Sequence, residues 1–267
     1  MQTLKQLMNL KGRTALITGG AGHLGFVTAA TLAEMGSKII LLDVNKDLCV
    51  QKIRELQRKY HIKAFPCVVD LAKEQDVRGV SDIVKKYFGS LDILVNCAAL
   101  VGTSHLKGWA VPFKQQNLDT WRLALEINLT SIFLLVQSCR NLLLQSKHSS
   151  IINISSIYGM VGPDLSLYED TGLGNPAAYA ASKGGLLQLT RWLATSLAPQ
   201  TRVNAISLGG VFRNHKQPFL ARYKNRTPLK RMAQEEDLKG AVAYLASDLS
   251  NYVTGHNLVV DGGWTAW

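Results

Sequence analysis

The chain has few cysteines, few prolines and a shortage of carboxylates, and it lacks long uninterrupted apolar runs. Its four cysteines, Cys49, Cys67, Cys97 and Cys139, are scattered through apolar surroundings, with no Cys-x-x-Cys or His-x-x-Cys spacing. That argues against a disulfide framework and against a zinc or other metal site. No apolar run approaches the roughly 18 residues of a membrane span. The polar segment Met1 to Lys11 has no signal-peptide core. The expectation is a cytoplasmic protein with no membrane partner. Acidic residues number 19 against 30 lysines and arginines, a net charge of +11. The basic residues are dispersed, and even the densest stretch, Arg222 to Arg231, carries no aromatic–basic alternation. Nucleic acid is therefore not expected as a partner. A solvated basic surface or an anionic small molecule accounts for the charge.

What is present is a regular alternation. Short apolar runs at Arg13–Thr18, Lys38–Asp43, Ala64–Val69, Asp92–Asn96, Ser150–Ser155, Arg202–Ser207 and Leu258–Asp261 read as strands. Helical spacing separates them at Phe26–Met35, Lys46–Tyr60, Glu74–Phe88, Leu118–Gln145, Tyr179–Leu197 and Asp237–Ser247. Continuous apolar strands alternating with helices predict an α/β fold, a doubly wound parallel sheet of seven strands. No linker or repeat interrupts the pattern, so residues 1–267 read as a single Rossmann domain. Two long loops stand out, Leu100–Asn117 and Gly159–Pro176, both after strand C-terminal ends, the edge where such sheets bind ligands.

Thr18-Gly19-Gly20-Ala21-Gly22-His23-Leu24-Gly25 joins the first strand to the first helix. Gly20, Gly22 and Gly25 satisfy G-x-G-x-x-G, which lets backbone N–H groups approach a pyrophosphate at a helix N-terminus. Asp43 ends the second strand, 18 residues beyond Gly25. A carboxylate there accepts hydrogen bonds from ribose hydroxyls and repels a 2′-phosphate, which favours NAD over NADP.

Tyr179 and Lys183 lie four residues apart on a predicted helix and so share a face. A neighbouring ammonium is expected to lower the pKa of the phenol, fitting it for proton transfer near neutral pH. Of eight tyrosines, only Tyr179 has lysine at this spacing. Tyr168 is its rival, but Gly172 follows it at that interval.

These features together resemble the short-chain dehydrogenase/reductase family over nearly the whole chain. Asp70 and Leu71 resemble the family's adenine-contacting pair, and Asn96-Cys97-Ala98-Ala99 its segment after the fourth strand. Asn128 matches the helix asparagine. Ile154-Ser155-Ser156-Ile157 supplies the serine, and alignment through Gly159 favours Ser156. Gly209 and Val211 fall in the nicotinamide-contacting region, and Val260-Asp261-Gly262-Gly263 matches the C-terminal turn. The resemblance implies a catalytic set of Asn128, Ser156, Tyr179 and Lys183. Within it, Asn128 positions a water and Lys183 also holds the nicotinamide ribose. The dinucleotide would be held by Gly19, Gly20, Gly22, His23, Leu24, Gly25, Asp43, Asp70, Leu71, Asn96, Ala98, Tyr179, Lys183, Gly209 and Val211. A homodimer or homotetramer is also implied, paired through the long helices.

The departures bear on substrate. His23 replaces a glycine, Leu208 a proline, and Arg213 or Asn214 a threonine. The interval from Ser156 to Tyr179 is longer than usual, so residues 159–176 read as an inserted substrate loop. This insertion and the ending Trp264-Thr265-Ala266-Trp267 are similar to a subgroup associated with flagellin and surface-polysaccharide sugar modification. The expected reaction is NAD-dependent interconversion of a secondary alcohol and a ketone, on a sugar or other polar, anionic or sugar-like compound. Two alternatives stand: an NADPH-dependent reductase of an acyl thioester or lipid-type ketone, and a non-catalytic dinucleotide sensor. His105, Lys107 and Trp109 either contact substrate or face solvent. Arg213 or Lys216 either meets a substrate phosphate or lies on the surface, and Trp264 and Trp267 pack at a subunit interface or near the pocket.

Overall fold

The computed structural model describes residues 1–102, 104 and 106–267; His105 lies outside the described residues. Seven strands form one parallel sheet: β1 (Thr14–Thr18), β2 (Lys38–Asp43), β3 (Ala64–Val68), β4 (Ile93–Asn96), β5 (Ser149–Ser156), β6 (Thr201–Leu208) and β7 (Asn257–Val260). Their order is β3-β2-β1-β4-β5-β6-β7. The helices are α1 (Leu4–Leu7), α2 (His23–Glu34), α3 (Lys46–Tyr60), α4 (Glu74–Arg78), α5 (Val80–Phe88), α6 (Leu118–Leu125), α7 (Ser131–Gln145), α8 (Ala177–Ser196), α9 (Phe219–Arg226) and α10 (Lys239–Ala246).

The strands are apolar throughout because both faces of the sheet are covered. Side chains alternate along β2: Ile39 and Leu41 join one core with α2, α3 and α10, whereas Ile40 and Leu42 join the other, beneath α5 and α7. Each fully buried Ile or Leu here contributes about 1.5–3 kcal/mol. β1 pairs with β2 on one side and β4 on the other, so the chain reverses direction across the sheet between them. A ligand crevice opens at such a point, outside the strand C-terminal ends.

The helices depart from the sequence reading in detail. Glu74–Phe88 is broken at Gly79. Leu118–Gln145 is α6 and α7 joined by a π-helical turn, Glu126–Thr130. That run is also long and apolar enough to cross a membrane by length and composition, which corrects the expectation that nothing approaches a span. Here half of its apolar window is buried inside the fold. Helix α9 was not anticipated, because its sequence, FLARYKNR, is short and strongly basic and so reads as a charged patch. Short 3-10 turns, Phe113–Gln115 and Leu165–Tyr168, occupy the two long loops.

Candidate active site

A cleft of about 850 Å³ runs across the C-terminal ends of the strands. Its floor begins at the glycine loop. Gly19 has φ +61°, and a Cβ there would lie 2.8 Å from Ala98 Cα. A Cβ at Gly20 would meet Leu41 at 2.6 Å, and one at Gly25 would collide with the Gly19 carbonyl. These three glycines are required by protein packing. Gly22 differs: it is exposed with φ −74°, and a Cβ would find only the Gly19 oxygen, at 3.2 Å. Gly22 is also the N-cap of α2 and gives it no side-chain cap hydrogen bond. The first N–H groups of α2 are thus left for an anion approaching over Gly22, which suits a dinucleotide pyrophosphate.

Gly19, Gly22, His23, Leu24, Gly25, Asp43, Asp70, Leu71, Ala98, Gly209 and Val211 all line this cleft. Two expected contacts do not. Gly20 lies beneath the loop, against Leu41. Asn96 is buried at 1% exposure and donates to Asn153 Oδ1 at 2.8 Å. Its place in the motif is at the strand end, but the pleat turns its side chain into the sheet. Asp43 accepts from the backbone N–H of Ala21 at 3.2 Å and of Asn45 at 3.1 Å, so the same carboxylate steadies the glycine loop.

At the other end, Ser156, Tyr179 and Lys183 converge on the cleft wall. Ser156 ends β5, and its Oγ accepts from Tyr158 N–H at 3.2 Å. Ser155 also lines the cleft, but its hydroxyl donates to the Lys183 carbonyl. A Cβ at Gly159 would lie 2.7 Å from that same carbonyl, so the glycine lets the start of the inserted loop rest on α8. Lys183 is 3% exposed and donates from Nζ to the Ile154 carbonyl at 2.7 Å. Burial lowers its pKa to about 8.

The expected depression of the Tyr179 pKa is corrected. Burial raises it above 10, and the opposing pull comes from a hydrogen bond to Ser156. The Lys183 ammonium sits 5.8 Å from the Tyr179 ring centroid and is engaged by Ile154. Removing the phenolate from water outweighs the distant cation.

Asn128 does not line the cleft. It is fully buried in the π-helical turn, accepts from Leu100 N–H at 2.8 Å and donates to Leu100 O and Ser182 Oγ, each at 3.1 Å. Both amide hydrogens are occupied, and the side chain ties the segment after β4 to α8. π-turns recur where a functional side chain must be turned inward.

Several features escaped the sequence. Tyr223, on the unanticipated α9, accepts from Gly210 N–H at 2.5 Å and stacks on buried Trp264 at 4.4 Å, fixing the wall after β6. Trp264 is therefore a pocket support, whereas Trp267 is exposed. Trp109 is buried, donates to Val101 O at 2.7 Å and does not line the cleft. Lys107 and Lys216 are exposed. Arg213 lines the cleft and pairs with Glu235 at 2.7 Å, and Glu235 reaches His23 at 3.4 Å, bridging the glycine loop and the β6 wall. The cleft's carboxylates among the described residues are Asp43, at the end of β2, and Asp70, just beyond β3.

A family model described as enoyl-(acyl carrier protein) reductase matches residues 19–265. The chain belongs to the short-chain dehydrogenase/reductase family. It is 31% identical over 263 residues to 3-oxoacyl-(acyl-carrier-protein) reductase FabG of Thermotoga maritima, covering 96% of this chain and 99% of that one. The structure of a gluconate 5-dehydrogenase from Burkholderia cenocepacia in complex with NADP and tartrate superposes with TM-score 0.87 at 29% identity, covering 99% and 100% of the chains. An NAD-bound xylitol dehydrogenase matches with TM-score 0.82 at 28% identity, over 95% and 99%. As a short-chain dehydrogenase/reductase, the protein is an oxidoreductase of CH–OH groups that uses a nicotinamide dinucleotide and a small-molecule substrate.

Proposed function

We propose that the protein interconverts a secondary alcohol and a ketone of a small, sugar-like hydroxy compound, with NAD as its dinucleotide. The observation that carries this reading is the convergence of Ser156, Tyr179 and Lys183 on the cleft that holds the glycine loop. Asp43 at the end of β2 supports NAD over NADP, by accepting from ribose hydroxyls and repelling a 2′-phosphate. The relatives named for gluconate and xylitol, and the resemblance of the insertion to sugar-modifying enzymes, support the substrate class.

A bound nicotinamide ring supplies the hydride acceptor in one direction and the donor in the other. In reduction, Tyr179 gives its proton to the oxygen of the forming alcohol. Its raised pKa keeps it protonated and ready for that step at pH 7. Ser156 donates a hydrogen bond to the same oxygen as charge gathers there. The Lys183 ammonium, charged below about pH 8, stabilises the phenolate that Tyr179 becomes. In oxidation the same groups run in reverse, Tyr179 removing the hydroxyl proton. Asn128 is a positioning residue that holds the Leu100 segment. The inserted loop, residues 159–176, selects the substrate.

A second reading, reduction of an acyl thioester with NADPH, is favoured by the FabG relative and by the apolar wall of Leu173, Phe219 and Met232. The exposed Phe133 and Trp192, on α7 and α8, support assembly as a homodimer or homotetramer through those helices. Dependence on a dinucleotide pool supports the cytoplasm as the location.

The test follows reduced-nicotinamide absorbance with polyols, hydroxy acids and 3-oxoacyl thioesters, each with both dinucleotides. The expected result is turnover of a polyol or hydroxy acid with NAD. Tyr179→Phe should lower kcat by about 100-fold or more. Equal turnover in the two proteins removes the assigned chemistry.

A further inference from the structure

Two charged side chains of the cleft have no part in the scheme above, and one carboxylate joins them. His23 opens α2 directly after Gly22, and Arg213 follows β6. Both line the cleft, whereas Glu235 does not. Glu235 Oε1 stands 2.7 Å from Arg213 Nη1 and 3.4 Å from His23 Nδ1. The glycine loop follows β1, and β4 and β5 lie between it and β6. The carboxylate therefore closes the span between two walls of the cleft.

The seat of Arg213 is anchored on both sides. Val211 bridges to Ala233, with Phe212 N–H donating to Ala233 O at 2.8 Å and Ala233 N–H to Gly210 O at 3.0 Å. The turn that carries Glu235, Glu235–Leu238, is held by Arg231, which donates to the two Asp237 oxygens at 2.5 and 2.9 Å. Both contacts of the Arg213 guanidinium, with Glu235 and with the Phe212 carbonyl at 3.1 Å, use Nη1. Its Nε–H and Nη2–H donors make no hydrogen bond among the described residues. A guanidinium steadied at one nitrogen keeps the other two as a fork, the geometry that suits phosphate oxygens. The other lysine or arginine of the cleft among the described residues is Lys183, and its ammonium is engaged by Ile154.

A dinucleotide running from Asp43 to Tyr179 crosses the glycine loop first and meets the wall after β6 next. We propose that Arg213 binds the nicotinamide-side phosphate of the dinucleotide, with Glu235 seating its guanidinium between the β6 wall and His23. The N–H groups of α2 take the adenosine-side phosphate over Gly22, so the two phosphates have separate ligands. The proposal rests on the dinucleotide reading above. Arg213 contributes affinity, and the reacting atoms remain with Ser156 and Tyr179.

AMP and ADP are matched probes, because they share the adenosine and its first phosphate and differ by the second. Calorimetric titration of the wild type is expected to give ADP a Kd about tenfold or more lower than AMP. In Arg213→Met that ratio should fall to within about twofold, with the Kd of AMP little changed. Arg213→Lys keeps a charge for Glu235 but loses the fork, and it should lower the ratio by about threefold or more. It serves where Arg213→Met fails to fold. Equal binding of the two nucleotides by the wild type, or no binding of either, overturns the proposal. So does a ratio that the folded variants leave unchanged; a raised substrate KM in those variants would then assign the arginine to a substrate anion. Neither probe carries a nicotinamide, so the result stands apart from turnover. If the ratio behaves as expected and no alcohol is oxidised, the oxidoreductase reading alone fails.

Discussion

The Lys183 ammonium donates to the Ile154 carbonyl across 2.7 Å, joining α8 to β5 two residues before Ser156. This bond fixes where the two walls of the site meet. It also holds a cation largely out of water, at 3% exposure.

That burial has a pH signature. The pKa of Lys183 falls from 10.5 to about 8 on folding. Between those values the unfolded chain keeps a proton that the folded chain has released, so this residue adds stability as pH rises. The gain is present above 10.5 and lost as pH falls through about 8. The full difference is roughly 3 kcal/mol. Lys183→Met should therefore be more stable than the wild type at pH 7 by about 1–2 kcal/mol, the lost Ile154 bond offsetting the rest. Urea midpoints at pH 7 and pH 10 check this; an unchanged difference between the two proteins at both pH values would refute it. Turnover of the variant should be lost.

Asp43 faces the cleft and also accepts from Ala21 and Asn45. Asp43→Ala should raise the NADP-to-NAD ratio of kcat/KM by about tenfold or more, because the carboxylate that repels a 2′-phosphate is gone. Affinity for both dinucleotides should also weaken as the glycine loop loses its support. A ratio equal to that of the wild type would count against Asp43 as the discriminating group.

Asn128 holds Leu100 by both its N–H and its carbonyl. Asn128→Leu leaves the Leu100 N–H and carbonyl unpaired, while the Ser182 hydroxyl keeps its bond to the Tyr179 carbonyl, which should cost about 2–4 kcal/mol. Chemical denaturation reads the loss. Dinucleotide affinity, measured by fluorescence titration, should fall with it, since the segment Ala98–Val101 lines the cleft.

Gly22 and Gly25 are both motif glycines with different physical demands. Gly25→Ala drives a methyl into the Gly19 carbonyl and should destabilise the fold by about 1–3 kcal/mol. Gly22→Ala meets only one atom, at 3.2 Å, and should change stability by less than about 0.5 kcal/mol while weakening dinucleotide binding. Thermal unfolding with and without dinucleotide separates the two effects. Unimpaired binding by Gly22→Ala would mean that no phosphate passes over that residue.

The sheet was legible because a strand buried on both faces must be apolar along its length, as Lys38–Asp43 shows with matching ends in sequence and structure. The Tyr179–Lys183 pair was legible because helical spacing fixes which side chains share a face. The sign of the Tyr179 shift was not, since spacing carries no information about burial. Asn96 and Gly20 fit a sequence motif, but whether a strand-end side chain faces ligand or sheet depends on pleat and register. Helix α9 and Tyr223 lie in a segment too short and too basic to stand out from a charged loop. Their place is set by stacking on Trp264, which lies 41 residues away along the chain (264 − 223).

Gly159 leans on the backbone of Lys183, and Pro176 is the N-cap residue of α8. Both ends of the insertion are therefore pinned to the helix that carries Tyr179. The segment between them can lengthen, shorten or change its residues without shifting the proton-handling pair. New substrates could be acquired here by small evolutionary steps, with the dinucleotide half inherited intact.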